Sequence, residues 1–473
     1  MIEAMGDALL ISASPYGIQA AAVAAGRPAA FFNEWTASPC RIGDLHVARP
    51  LGRMKGIDAC IVDIGGGEEA FLQGARALDA DGAPPIVQVV CDAYEGKRPR
   101  VSRRPVLAGR FATFWPGGRE FTFSPRLRDP EVRRTLAAAL DGIDTLGGAL
   151  TIRAAAAACP DQVPAAAAAL AARWREAEAA AESDRTPRRL WHAGGLLGRL
   201  LRDVAAPATT SIAIDDRASF ERATVLATKE APDLESALSF ERASPDAGPL
   251  FERHDCAGRL GAALEPEVIL PRGVRLTVEE TRALNAIDVD TSQAAGTAAA
   301  ETAEAVGREI VLRNLSGLIA IDFAGRGRAR QRQAQLAALG QALETDRTPH
   351  RVLGVTAGGV VEVNRQRFGP SLRQALTEPA GGVFGGRRLR LEAVTHAVAH
   401  AARREAASGA RALTLRAAPA FVEVLDAPGE GVLARWLGVP VALVPDPGQP
   451  HGRYVLERSG APVASHRGRC STR

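Results

Sequence analysis

Two apolar runs in the second half of the chain, Leu284-Asn285-Ala286-Ile287-Asp288-Val289-Asp290 and Gly317-Leu318-Ile319-Ala320-Ile321-Asp322-Phe323, each end near a carboxylate and are bounded by turn residues. A run of this length predicts a strand buried in a sheet covered on both faces. Ala299 to Leu312, between them, is compatible with a helix. Strand, crossover helix and strand make two neighbouring parallel strands. Asp288 and Asp322, 34 positions apart, then leave adjacent strand ends and converge on one point. Like charges so close are tolerated best around a cation. Mg²⁺ suits the pair, because it takes oxygen ligands and is often held by one or two carboxylates with waters and substrate phosphates. The alternative is that each aspartate only caps the turn or helix after its strand.

The remaining pattern is one of short strands and a few helices. Ala8 to Ser12, a turn at Pro15-Tyr16-Gly17 and a run from Ile18 to Ala25 predict an opening hairpin. From about 37 to 105, strands broken by Gly and Pro, including Ile42 to Arg49, Ala59 to Asp63 and Ile86 to Val90, read as a small five-stranded barrel. Helices are predicted from about Pro164 to Ala181 and around Leu200 to Val204, and a strand over Thr210 to Asp215. After Asp322, the run Arg326, Arg328, Arg330, Arg332 opens a helix whose apolar face includes Leu336, Leu339 and Leu343. Val352 to Val363 reads as a hairpin, with Arg365 and Arg367 on a basic segment beyond it. Leu391 to Ala407 reads as an Ala-rich helix and Phe421 to Leu425 as a strand.

Composition narrows the class. The chain has 473 residues, enough for several domains, and a formal net charge of only +4, so any binding of polyanions must come from local patches. One such patch is Lys97 to Arg104, an exposed basic loop suited to backbone phosphates. Only Lys55, Lys97 and Lys229 are lysines, and the other strong bases are arginines, whose planar fork pairs bidentately with phosphate. The six cysteines are scattered without a CxxC pair, which points to reduced, mostly buried thiols and a cytoplasmic protein. The N-terminus lacks the basic region of a signal peptide, and no apolar run is long enough to span a membrane.

Four blocks in order carry a resemblance: Leu250-Phe251-Glu252, Glu279 to Val289, Leu312 to Phe323, and Glu362-Val363-Asn364-Arg365-Gln366-Arg367. Together they resemble the catalytic part of the ribonuclease E/G family. The resemblance implies a Mg²⁺-dependent endoribonuclease acting on single-stranded RNA, with Asp288 and Asp322 as metal ligands and catalytic residues. It also implies processing of ribosomal or transfer RNA precursors, or messenger decay. Asp290 takes the place of an asparagine that orients the first aspartate in the family. A catalytically weak RNA-binding paralogue is the alternative reading.

The family also implies an α/β multidomain architecture. An RNase H-like subdomain would be formed by residues 1–36 and 199–249, and an OB-fold RNA-binding domain by 37–105. A 5′-sensor-like domain would span 106–198, a DNase I-like catalytic domain 250–377, and a small C-terminal α/β domain 383–473. Phe71 and Lys97 match RNA-binding residues of the barrel, while Ile61 and Cys91 replace their counterparts. Gly109 and Arg153 match the sensor of an RNA 5′-monophosphate, but Ala154 and Pro349 replace two of its other residues, so discrimination of the 5′ end should be weak or absent. Asp215-Asp216 imitates a metal site but falls in a fold that is structural in the family. Glu378 and Gly381 stand where the family has two zinc-binding cysteines. Zinc is therefore not expected, nor is a zinc-linked tetramer, while a homodimer held without zinc stays open.

Overall fold

The computed structural model describes residues 6–74, 86–118, 120–143, 147–242, 248–270, 273–291, 299–323, 329–380 and 386–458. Distant parts of the chain build its first sheet. Strands Ala8–Ser14, Gly17–Ala24 and Arg27–Trp35 run antiparallel in succession, while Ser211–Ile214 and Leu238–Phe240 join in parallel on the other side of the first strand. The opening hairpin is thus extended to three strands.

A seven-stranded sheet follows, in the order Arg188–Trp191, Leu45–Val47, Ile86–Cys91, Arg100–Ser102, Glu69–Gln73, Ala59–Asp63 and Arg49–Arg53. Five strands were predicted. One addition, Arg188–Trp191, comes from outside residues 37–105 and pairs antiparallel with Leu45–Val47. The basic run is only partly a loop, since Arg100–Ser102 is a strand with Val101 buried in the sheet's core. The connection at 75–85 lies outside the described residues. A four-stranded sheet, Leu107–Ala108, Ala112–Pro116, Gly148–Ile152 and Phe121–Phe123, packs against helix Val163–Ser183 through Phe114, Leu150 and Leu170.

The two aspartate runs lie at the centre of a six-stranded sheet, in the order Glu267–Ile269, Arg275–Glu280, Asn285–Asp290, Gly317–Phe323, Val361–Arg365 and His350–Val355. Only the central pair is parallel. Both strands alternate buried and outward positions, so the expected covering on both faces is corrected: Ile287, Val289, Ile319, Ile321 and Phe323 point into the core, and the other face is open. A parallel pair needs its crossover helix on one face only, and here antiparallel strands flank the pair. The crossover helix Ala299–Leu312 and the helix Ala329–Glu344 supply that cover through Val306, Ile310, Leu339 and Leu343. They approach closely at Gly307, where a Cβ would come within 2.6 Å of the Ala342 Cβ. Gly317 opens the second aspartate strand with φ +87°, a conformation that favours glycine.

Helix Leu391–Ala407 packs with a three-stranded sheet of Leu413–Ala417, Val441–Pro445 and Tyr454–Arg458. The strand predicted over Phe421 to Leu425 is instead part of helix Pro419–Asp426. Proline at its first turn presets the helical φ, and Phe421 and Leu425, four apart, bury on one face. Residues 459–473, with Cys470 and the basic tail, lie outside the described residues.

Candidate active site

Alternation along the two central strands decides where the acids point. Asp288 and Asp322 are directly paired in the parallel ladder, and both side chains are exposed on the open face. On its other side Asp288 faces Thr277 across an antiparallel ladder. Neither aspartate makes an ion pair or a side-chain hydrogen bond among the described residues. Adjacent strands lie about 4.8 Å apart, so two like charges are held side by side. That donor set fits Mg²⁺: two oxygen ligands with room in front for water and a phosphate. Among the described residues no group of three or more His, Cys, Asp or Glu is placed to hold a metal ion.

Asp290 lies two positions on, exposed on the same face, and stands opposite Arg275 in register. Of the arginine run after Asp322, Arg326 and Arg328 lie outside the described residues, as does the side chain of Arg330, and Arg332 is exposed on helix Ala329–Glu344. Arg365, expected on a basic segment, is among the most deeply buried side chains. Its guanidinium bonds Asp346 at 2.6 Å, Asn314 Oδ1 at 2.8 Å and the Leu315 carbonyl at 3.0 Å, tying down the turn that leads into the Asp322 strand. Sequence gave no signal of this role, because the motif mixes buried and exposed arginines.

Of the residues matched to RNA binding, Phe71 lies on a strand, while Lys97, Gly109 and Arg153 lie just outside strands. Phe71 is half-buried on strand Glu69–Gln73, opposite Ile61. Lys97 is exposed, with its Nζ 5.1 Å from the centre of the Tyr94 ring, and Arg367 lies 5.3 Å from the same ring. Arg100 donates to the carbonyl of Arg367 at 2.8 Å, so the basic stretch touches the segment that follows the aspartate sheet.

Gly109 and Arg153 do come together: Arg153 Nη1 donates to the Gly109 carbonyl at 2.5 Å. Arg153 also pairs with Asp203 at 3.0 Å. Burial pulls the Arg153 guanidinium below its ordinary pKa, with Asp203 opposing. Against burial, Arg202 and Arg153 hold the Asp203 carboxyl down at about 2. Arg347, two positions before Pro349, donates to the Asp203 carbonyl, and burial and the nearby Arg126 and Arg153 lower it to about 10. Nothing local in the sequence marks this arginine, because its contact with Asp203 joins segments 144 positions apart.

The Asp215-Asp216 pair is fully engaged. Asp215 accepts from Ser12 Oγ and the Ala13 N–H, both at 2.9 Å, while Asp216 caps helix Arg217–Glu230 and accepts from Trp436 Nε1 at 2.8 Å. Glu378 lies on strand Thr377–Pro379 and bonds Arg388, and Gly381 lies outside the described residues. Cys40, Cys60, Cys91 and Cys256 are buried and unbridged, as is the half-buried Cys159. Among the described residues no helix is long and apolar enough to cross a membrane.

The sequence model of the ribonuclease E/G family matches residues 106–368, more than half of the chain and the whole aspartate sheet. Ribonuclease G of Salmonella typhimurium (strain SL1344) is 26% identical over 400 residues, covering 78% of this chain and 81% of that protein. Ribonuclease G of Escherichia coli (strain K12) gives the same figures. Ribonuclease E of Nostoc sp. (strain PCC 7120) is 27% identical over 373 residues, or 73% of this chain and 54% of that protein. A paired, exposed aspartate couple inside the matched span leads to one conclusion: the chain belongs to the ribonuclease E/G family.

Proposed function

We propose that the chain is an endoribonuclease that hydrolyses phosphodiester bonds of single-stranded RNA, with Mg²⁺ held between Asp288 and Asp322. The observation that carries this reading is the register pairing of two free carboxylates on an open sheet face within the matched family span. When bound there, Mg²⁺ supplies the positive charge that polarises the phosphodiester and lowers the pKa of water. The chain's own part is to fix the two ligands rigidly on neighbouring strands and to leave the face in front of them open to a flexible strand. Asp290, two positions on and exposed on the same face, adds negative charge beside the pair and tunes the site without itself being a metal ligand.

The strands of 37–105 serve as the OB-fold RNA-binding domain, with Phe71 beneath a base and Lys97 at the backbone. Residues 1–36 with 199–249 form the RNase H-like support, 106–198 the sensor-like domain, 250–377 a DNase I-like catalytic domain and 383–473 a small C-terminal domain. Ribosomal or transfer RNA precursors and messengers in the cytoplasm are the substrates that follow from the family.

The second reading, an RNA-binding protein with little catalysis, rests on one observation: the position that holds an asparagine in the family carries Asp290, exposed on the same face as Asp288. Cleavage of a fluorescent single-stranded RNA with Mg²⁺, by wild type and by Asp322→Ala, separates the two. Cutting by wild type alone supports the nuclease; binding without cutting by wild type supports the second reading.

A further inference from the structure

The open face of the aspartate sheet continues away from the carboxylate pair through residues that hydrolysis leaves unused. One step back along the strands, Ala286 and Ala320 face each other, with Glu362 beyond Ala320. A further step back, Leu318 pairs with Asn364, and Asn364 pairs with Arg351 on the outermost strand. Leu318 is 37% and the nearby Leu353 48% exposed, an apolar step beyond the alanines. Asn364 and Arg351 are exposed, and among the described residues neither side chain has a partner. Two methyl groups thus make a shallow floor beside the acids. Past it stand an apolar platform, an unspent amide and an unspent guanidinium.

That sequence of groups matches a nucleotide. Leucine covers the face of a base, the amide offers two donors and an acceptor to its edge, and a guanidinium pairs with a phosphate. Asp322 lies four residue steps along the strand from Leu318, about 13 Å. Roughly two to four nucleotides cover such a span, since stacked nucleotides rise about 3.4 Å each and extended ones more. The path also has a basic end. The Ser316 carbonyl, just before this strand, accepts from Arg367 Nη2 at 2.7 Å, and Arg367 lies over the Tyr94 ring that Lys97 also approaches. A single strand lying across the aspartates and Leu318 therefore runs towards positive charge.

We propose that Leu318 and Asn364 form a nucleobase subsite that reads one base near the scissile phosphate, with Arg351 on the adjoining backbone. The subsite rests on the endoribonuclease reading above. Its test is cleavage of a randomised single-stranded RNA pool with Mg²⁺, sequencing the new ends produced by wild type, Asn364→Ala and Leu318→Ala. Wild type should show a base preference at one fixed position within a few nucleotides of the cut. Asn364→Ala should reduce that preference by about fivefold or more, the discrimination a paired amide supplies, and leave the other positions as they were. Leu318→Ala should weaken cleavage while retaining the identity of the favoured base. Asn364 is exposed, so the melting temperature of Asn364→Ala should match wild type. Leu318 is only 37% exposed, so Leu318→Ala is compared with wild type at a temperature where both proteins are folded. Identical profiles for wild type and Asn364→Ala, or a wild-type profile with no preferred base, overturn the subsite and leave the nuclease standing. A wild type that cuts nothing overturns the nuclease reading, and the subsite falls with it.

Discussion

Asp288 and Asp322 stand opposite each other across a parallel ladder, the only parallel pairing in their sheet. Backbone hydrogen bonds, rather than a loop, set their separation. Such a pair is costly without a cation, since like charges directly opposite on a sheet repel. The antiparallel neighbours on either side hold the strands in place, so the two Cβ atoms stay paired whatever rotamers the carboxylates take.

Charge at this pair should separate activity from stability. Asp288→Asn and Asp322→Asn should each lower RNA cleavage by at least about a hundredfold, roughly 3 kcal/mol of transition-state stabilisation. Without metal, each should be as stable as wild type or more so by about 0.2 to 1 kcal/mol, because one repulsion is removed. Added Mg²⁺ should raise the melting temperature of wild type and not of the variants. Equal Mg²⁺ stabilisation of all three would show that the ion binds elsewhere.

Arg365 supports the same strand from beneath. Its guanidinium and Asp346 are both almost fully buried. Arg365→Ala leaves the buried Asp346 carboxylate with only the Thr348 N–H and the His350 ring beside it, and should cost about 3 to 5 kcal/mol. Chemical denaturation checks this. A cost below about 1 kcal/mol would mean that water replaces the guanidinium.

Legibility of the sequence followed physical locality. The strand, crossover helix and strand around Asp288 and Asp322 were readable because apolar runs and turn residues are local signals. The open face was not, because whether a sheet is covered depends on elements far along the chain. Phe421 to Leu425 was misread for a related reason: a short apolar run has no decisive period, and Pro419 at the helix start settles it. Arg153 and Gly109 were identified by resemblance, but their engagement with Asp203 and the neighbourhood of Arg347 depend on three segments meeting in space.

That meeting has a consequence for RNA ends. Arg153 already has a carboxylate, held ionised by its arginine neighbours, so a 5′-phosphate must compete with Asp203 for it. Matched RNAs with 5′-monophosphate and 5′-hydroxyl ends should be cut within about threefold of each other, a difference under 1 kcal/mol. Asp203→Asn removes the competing charge and should raise the monophosphate preference. A wild-type ratio above tenfold would contradict the expectation.

The contact between the first sheet and helix Leu391–Ala407 should depend on pH. Ser12 Oγ lies 2.9 Å from Asp215 and 3.1 Å from His400 Nε2, and Ser14 Oγ lies 2.9 Å from His396 Nδ1. Burial raises the Asp215 carboxyl from 3.8 to about 7, lowers His400 from 6.5 to about 3, helped by Arg403, and takes His396 well below its ordinary value. The histidines are neutral when folded, so their contribution is present above pH 6.5 and is lost as pH falls towards the folded values. Asp215 works in the other direction, because its raised pKa favours folding increasingly as pH falls from about 7 to 3.8. Between about pH 4.5 and 6.5 two histidines oppose one aspartate, so unfolding takes up about one proton from this cluster. Stability there should fall by roughly 1 kcal/mol per pH unit on acidification. His400→Gln removes one histidine and should flatten the slope by about that amount relative to wild type, while Asp215→Asn should steepen it similarly. Urea denaturation at several pH values, compared between variants so that other titrating groups cancel, measures both differences. Parallel slopes for wild type and His400→Gln would show that the buried histidines do not couple this contact to pH.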